Sequence, residues 1–544
     1  MTTATAGTEQ PDDTEFDGLI QQLIDRACAD SPRMAEVLGI DGFADQLGDF
    51  SAEAHRQRDR ADTEWLGRFT RFDLSRLSPA QRIDRELIIS QLSSRVALAD
   101  SGWAEWRRTA EGYLETGITG MFLAARRSEE ATTDAAVARL AALPAVLDSA
   151  TANLDPDLCD PLIVQRSLAE ARANTAFALM EVAGYAADPQ NQARLLAAGA
   201  AAGEAYERFG HHLESLLARA TGSFAFGVER YNSVLATREL LDLDTAELTD
   251  LGWSNYHEIV ERMTGLSRSI SGSPDWVACC HELQRVHAPT IDAMRDEYAT
   301  ATESARTFAL DQGLIASPDD EVCVVGPAPM AVRAVLSVAC YVAPPLFGGT
   351  RTGHFFVPYP TDDNDEESVA GLLESNASYV VASTAVHEAY PGHHWHLMTA
   401  KDARPVRKIY LSDYFAEGWA LYCEGMMARA GFYTPAQEMG FLEGRLFRAA
   451  RIIVDVGLHT GTMSVADAVA FMHDRAMMPA PTARSEVARY CAWPTQASSY
   501  LTGALRIEQA AQAWIDAGRH LGEFHNRIVR MGSMPVPLAL ASMA

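Results

Sequence analysis

The eight cysteines (Cys28, Cys159, Cys279, Cys280, Cys323, Cys340, Cys423 and Cys491) include no C-x-x-C pair and follow no regular spacing, which argues against a disulfide framework or a cysteine zinc site. Positive charge is also scarce. The chain has 45 Lys and Arg against 73 Asp and Glu, a formal charge of −28. That balance opposes charge-driven binding to nucleic acid or to anionic membrane surfaces, so neither is expected as a partner. No apolar stretch approaches the roughly 20 residues needed to span a bilayer. The opening MTTATAGTEQPDDTEFDGLI lacks a basic region followed by an apolar run, so no secretory signal is expected. A cytoplasmic protein with reduced thiols is the resulting expectation. Internal repeats, low-complexity blocks and flexible linkers are missing too, and nothing marks a clean domain boundary.

What is present suits a large helical core: 48% of the 544 residues are hydrophobic and 22% charged. Residues 1–15 are polar and expected to be mobile. Residues 16–544 read as one helical catalytic domain, with an N-terminal helical lobe to about residue 320 and a metal-site lobe over 321–544. In VARLAALPAVLDSATANL the leucines Leu140, Leu143, Leu147 and Leu154 recur at near-helical spacing, and Pro144 is expected to kink the helix. The alanine-rich run 192–218 predicts a long helix. Between 321 and 360 the character changes. EVCVVGPAP and GHFFVPYP predict a few short strands, and the acidic run 362–367 after them a solvated loop.

Directly after these comes VHEAYPGHHWH, residues 386–396. Zinc hydrolases often carry H-E-x-x-H on one helix, the histidines as ligands on a shared face and the glutamate as general base. Here His387 and Glu388 fit, but the position four after His387 is Pro391. On a regular helix His393 would lie about 600° round from His387 and His394 about 700° round. Pro391 lacks an N–H and Gly392 tolerates unusual backbone angles, so the helix is expected to break there and swing a later histidine back. Either His393 or His394 then serves as the second ligand. A third ligand is sought in LSDYFAEGWALYCEGMMARA, where Asp413, Glu417 and Glu424 share one face of an otherwise apolar helix. Burying such a face is costly unless its carboxylates are paired or metal-bound. Glu417 is the candidate ligand, with Asp413 and Glu424 as acceptors for the ligand histidines.

Five blocks in order, HEAYPGHH, YFAEGWALYCE, RIIVDVGLH, EVARYCAWPTQASSYLTG and FHNRIVRMGSMPVPL, resemble the signature blocks of the bacterial family known as domain of unknown function 885. The resemblance is strong over the C-terminal third and looser before it. One departure is Thr495, where the family usually has glycine. The family in turn is similar to helical zincins such as carboxypeptidase Taq and the thimet-type oligopeptidases, with H-E-x-x-P-G-H as a two-residue expansion of their motif. The resemblance implies His387, His393 and Glu417 as zinc ligands and Glu388 as base. It also implies that His459, Arg489, Tyr490 and Tyr500 lie in blocks that line the site, and His459, Arg489 and Tyr500 are taken as catalytic candidates. The expected fold is mainly α, zincin-like and two-lobed, with a deep cleft and a small β-sheet near the metal site. The expected activity is zinc-dependent hydrolysis of amide bonds in short peptides or small amides. A metal-dependent lyase or biosynthetic tailoring enzyme, and a metal-free binding protein, are the alternatives. A homodimer is left open.

Overall fold

The computed structural model describes residues 11–124, 126–316, 320–333, 336, 338–361 and 364–543. They form a mainly helical protein with one three-stranded sheet. Residues 1–10 of the segment expected to be mobile lie outside the described residues, and a helix begins at Pro11. Asp362 and Asp363 of the acidic run also lie outside them; Asp365 caps the helix Glu366–Ser375 by accepting the Ser368 N–H. The alanine-rich run forms the helix Pro189–Leu217.

Two compact units are present, each assembled from separated stretches of chain. The first runs to Leu154 and takes in Glu170–His212 and Arg404–Tyr410. Within it the helix Glu129–Asn153 continues through Pro144. By length and composition this helix is apolar enough to cross a membrane, so the sequence does hold one such stretch, against expectation. Its Arg139 is fully buried and donates to the carbonyls of Ala44 and Thr116.

The second unit comprises Asp155–Ala169, Leu213–Ala403 and Leu411 onward. Its elements around the site are α1 (Thr245–Ser271), α2 (Ile291–Asp311), β1 (Val322–Pro327), β2 (Cys340–Val342), β3 (Thr352–Val357), α3 (Ser378–Glu388), α4 (His393–Ala400), α5 (Asp413–Arg429), α6 (Pro435–Thr460), α7 (Ala480–Ala492) and α8 (Ser499–Asp516). Helix α3 packs against α2, α5 and α6. These contacts hold residues on both sides of position 320 in one unit, so the units do not part at the boundary expected there.

The strands expected between 321 and 360 form a sheet of order β1-β3-β2, with β1 parallel and β2 antiparallel to β3. Strand β2 is an edge, with Tyr341 opposite Phe355. Helix α6 starts at T-P-A-Q: the Thr434 side chain accepts the Gln437 N–H, and the Gln437 side chain accepts the Thr434 N–H. Pro435 fits the first turn, where no N–H is needed. Helices α5 and α8 approach through glycine. A Cβ on Gly503 would stand 1.8 Å from the Tyr414 carbonyl oxygen, and one on Gly418 2.7 Å from the Gly503 backbone. Trp395, Phe415, Trp419 and Tyr422 are fully buried around α4 and α5. Each contributes on the order of 4 kcal/mol of apolar burial, which fixes where the carboxylates of α5 stand.

Candidate metal centre

Helix α3 ends at Glu388 and α4 begins at His393. Across the break the Gly392 N–H donates to Val386 O at 3.0 Å and the Trp395 N–H to Ala389 O at 3.2 Å, both reaching farther back than an α-helix does. Pro391, without an N–H, has no helical bond to lose here. Gly392 is required by space, since a Cβ would stand 1.9 Å from the His387 carbonyl oxygen. The chain therefore doubles back tightly. The His387 and His393 rings end 4.8 Å apart and perpendicular.

Helix α5 supplies the third group. His387 Nε2 lies 3.5 Å and His393 Nε2 3.4 Å from Glu417 Oε2. One donor atom from each of the three residues lies within 4.8 Å of the others. One turn pair further along α5, Glu424 Oε1 stands 2.7 Å from His387 Nδ1, and both side chains are buried. Burial works against a charged imidazole at His387, but hydrogen bonds to Glu417 and Glu424, with the Glu388 charge nearby, raise its pKa to about 9. Burial would raise the Glu417 carboxyl, yet the two histidines hold it well below the usual carboxylate range. The donor atoms of the three side chains converge on one point.

Glu388 is half-buried beside this group, and its Oε2 accepts the Tyr341 backbone N–H at 2.9 Å. The outward-facing N–H of edge strand β2 thus holds one oxygen of the expected base. His394, the alternative second ligand, is turned elsewhere. Fully buried, it places Nε2 2.5 Å from Glu321 Oε2 and Nδ1 2.9 Å from the Tyr341 hydroxyl. Tyr390 also donates to Glu321 Oε2, at 2.5 Å.

The later blocks divide. Tyr500 is half-buried at the start of α8, and burial and then the Glu417 charge push its hydroxyl pKa up. Arg489 is held by Glu486, at 3.2 and 2.9 Å, and by Gln496 at 2.8 Å. Tyr490 is buried and donates to Glu486 at 2.7 Å. His459 is not part of the site. Its ring is fully buried, with Nε2 2.9 Å from Tyr490 O and Nδ1 accepting the Phe226 N–H at 3.3 Å. Both nitrogens are spent on backbone, so it fastens α6 to neighbouring segments. Asp413 is exposed in the first turn of α5, and Glu424 alone takes the acceptor role expected of both. Sequence reasoning missed Glu321, Tyr341 and Arg451. The first two lie far from the motif in the chain, and nothing in their spacing signals the contact.

Residues 32–543 match the model of a family described as bacterial protein of unknown function (DUF885). The chain belongs to this family. Curated proteins give no match to this DUF885 chain. Among solved structures it is similar to a "putative lipoprotein of unknown function" from Shewanella oneidensis, at 18% identity and a TM-score of 0.81 over 97% of this chain and 99% of that one. It is also similar to the "putative lipoprotein" from Colwellia psychrerythraea, at 19% identity and a TM-score of 0.81 over 98% of each chain. At such identities the likeness shows a shared fold. These neighbours overturn the cytoplasmic expectation, because lipoproteins are membrane-anchored. The cysteine argument fails for a physical reason: all eight thiols are free and six are buried, and a core thiol with no partner stays free in an oxidising compartment as well.

Proposed function

We propose that this DUF885 protein is a zinc-dependent hydrolase of amide bonds in short peptides or small amides, with a zincin-type site. The reading rests on the convergence of His387 Nε2 and His393 Nε2 on Glu417 Oε2, at 3.5 and 3.4 Å. Donors of a tetrahedral zinc stand about 3.3 Å apart, so the set fits that ion, and two imidazoles with one carboxylate leave a fourth position open. The Glu424 contact fixes His387 with Nδ1 as donor and Nε2 turned to the ion, the usual outer support of a ligating histidine. Bound there, zinc supplies a water of lowered pKa and polarises the substrate carbonyl.

The chain's own residues do the rest. Glu388 takes the proton of the attacking water on the oxygen not held by Tyr341 and passes it to the leaving amine. In this reading Tyr500 is the donor to the developing oxyanion, and Arg451, with its guanidinium 4.6 Å from the Tyr500 ring, favours negative charge there. Elemental analysis of the purified full chain tests the metal, with one zinc per chain expected. Peptide digestion in oxygen-18 water tests the reaction. Hydrolysis places the label in the new carboxylate; an eliminating lyase leaves it out, and a metal-free binding protein shows neither zinc nor product.

A further inference from the structure

Arg448, half-buried on α6, has no carboxylate partner among the described residues. Its Nη1 donates to Gly444 O of its own helix at 3.1 Å, and its Nε is buried without a hydrogen bond. Its position is close to the metal centre. A Cβ on Gly444 would lie 3.1 Å from Arg448 Nη1 and 3.9 Å from Glu424 Oε2, the carboxylate that holds His387. Arg448 and Arg451 place their guanidinium carbons 5.9 and 4.6 Å from the Tyr500 ring centroid. Arg451 and Arg489 share a single carboxylate, Glu486. Two guanidinium groups thus flank the Tyr500 ring, and a third, Arg489, is tied to one of them through their common Glu486. A partly buried cation with an unmade hydrogen bond is costly, and a ligand oxygen would remove that cost.

We propose that Arg448, backed by Arg451 and Arg489, receives a carboxylate of the substrate. The amide cleaved is then the one next to a residue bearing a carboxylate, either a free C-terminal group or an Asp or Glu side chain. The guanidinium fork matches a carboxylate through two parallel N–H donors. This assignment names a substrate class for the amide-hydrolase reading and rests on it.

The test uses zinc-loaded full-chain Glu388→Gln protein, whose turnover should be slowed roughly 10² to 10⁴-fold, in equilibrium dialysis against three pools of N-acetylated dipeptides. One pool has free C-termini, one is C-terminally amidated without acidic side chains, and one is amidated with Asp or Glu at the C-terminal position. Either acidic pool should be retained roughly 10- to 100-fold more tightly than the neutral amides, as for a charge-assisted hydrogen bond. Which acidic pool is favoured identifies the carboxylate. Adding Arg448→Gln should abolish the preference at unchanged zinc content, and Arg448→Lys should keep part of it. No carboxylate is orphaned by either change, and the comparison of pools stands without any variant. Equal retention of the three pools, no retention of any, or a preference that survives Arg448→Gln overturns the proposal. Zinc content and oxygen-18 incorporation, measured on wild-type protein from the same preparation, report on the hydrolase reading separately. Zinc-bound, amide-cleaving protein with no acidic preference defeats the carboxylate subsite alone.

Discussion

Replacing Glu388 by Gln removes one charge and one basic oxygen while keeping the shape of the side chain. In the structure one carboxylate oxygen already has a fixed duty, accepting the Tyr341 N–H at 2.9 Å. The Gln carbonyl oxygen can keep that bond, which places the amide NH₂ where the proton acceptor stood. The stability change is then the difference between a charged and a neutral acceptor at one backbone donor, about 1 kcal/mol. Neither His387 nor His393 depends on Glu388 for its contact to Glu417, so zinc should stay at one per chain. Turnover should fall by roughly 10² to 10⁴-fold, the usual worth of a general base. The assay combines initial rates on a cleaved peptide, zinc content and a thermal melt on the same preparation. A variant that keeps its zinc and hydrolyses at near wild-type rate would show that Glu388 is no base. A variant that loses stability with its remaining rate intact would show a purely structural role.

Glu417→Gln should lower zinc affinity by 10-fold or more, since losing a charged ligand exceeds the roughly 10-fold floor for outer supports; competition with a chromogenic chelator reads this, and unchanged affinity removes Glu417 from the site. Of the neighbouring histidines, His393→Ala should lose zinc, whereas His394→Ala should keep it and lower the melting temperature by breaking the contacts to Glu321 and Tyr341; the reverse order would refute the ligand choice. Gly392→Ala should destabilise by about 3 kcal/mol or more and abolish zinc binding, because the Cβ would stand 1.9 Å from the His387 carbonyl oxygen; denaturant unfolding checks the first and elemental analysis the second. His525 is buried between the Tyr422 hydroxyl and Leu314 O, and burial lowers its pKa to about 4. The unfolded chain takes up this proton below about pH 6.5 and the folded one only near 4, so its contribution is intact above 6.5 and is lost as pH falls toward 4. Wild-type protein should therefore lose about 2 kcal/mol more than His525→Gln between pH 7 and pH 5 in urea unfolding, and equal losses would refute the assignment.

The site was legible in the sequence where short-range backbone chemistry decides it. Pro391 and Gly392 forbid a continued helix, so the return of a later histidine to His387 follows from two residues and their hydrogen-bonding limits, although the choice between His393 and His394 does not. The carboxylates of α5 were legible because the surrounding residues are apolar, and Glu417 was singled out among them, although that Glu424 and not Asp413 meets His387 was not legible. That choice depends on the rotation of α5, which the glycines at 418 and 503 set through contact with α8. His459 reads like a site residue on sequence alone because a histidine at a helix end gives no sign of whether its ring meets solvent or backbone. Thr495 adopts a φ of +73° and accepts from Arg238, so the turn keeps the left-handed shape that a glycine would take there, with a side chain added to it. The division into units was not legible at all, since each is assembled from stretches far apart in the chain.

The contacts of Tyr341 link the chemistry to the fold. Its main-chain N–H holds Glu388, and its hydroxyl meets His394, the residue next to the candidate ligand His393. Neighbouring positions on α4 point to different sides, so one histidine faces His387 and Glu417 while the other locks the helix to β2 and, through Glu321, to the segment before β1. The proposed base and the proposed ligand are thereby referred to the same short edge strand. A shift of β2 by one residue would turn Tyr341 over, withdraw the hydroxyl from His394 and present the opposite backbone edge to Glu388. The pairing of Tyr341 with Phe355 in β3, which fixes that register, is therefore as necessary to the geometry of the site as His387, His393 and Glu417 are.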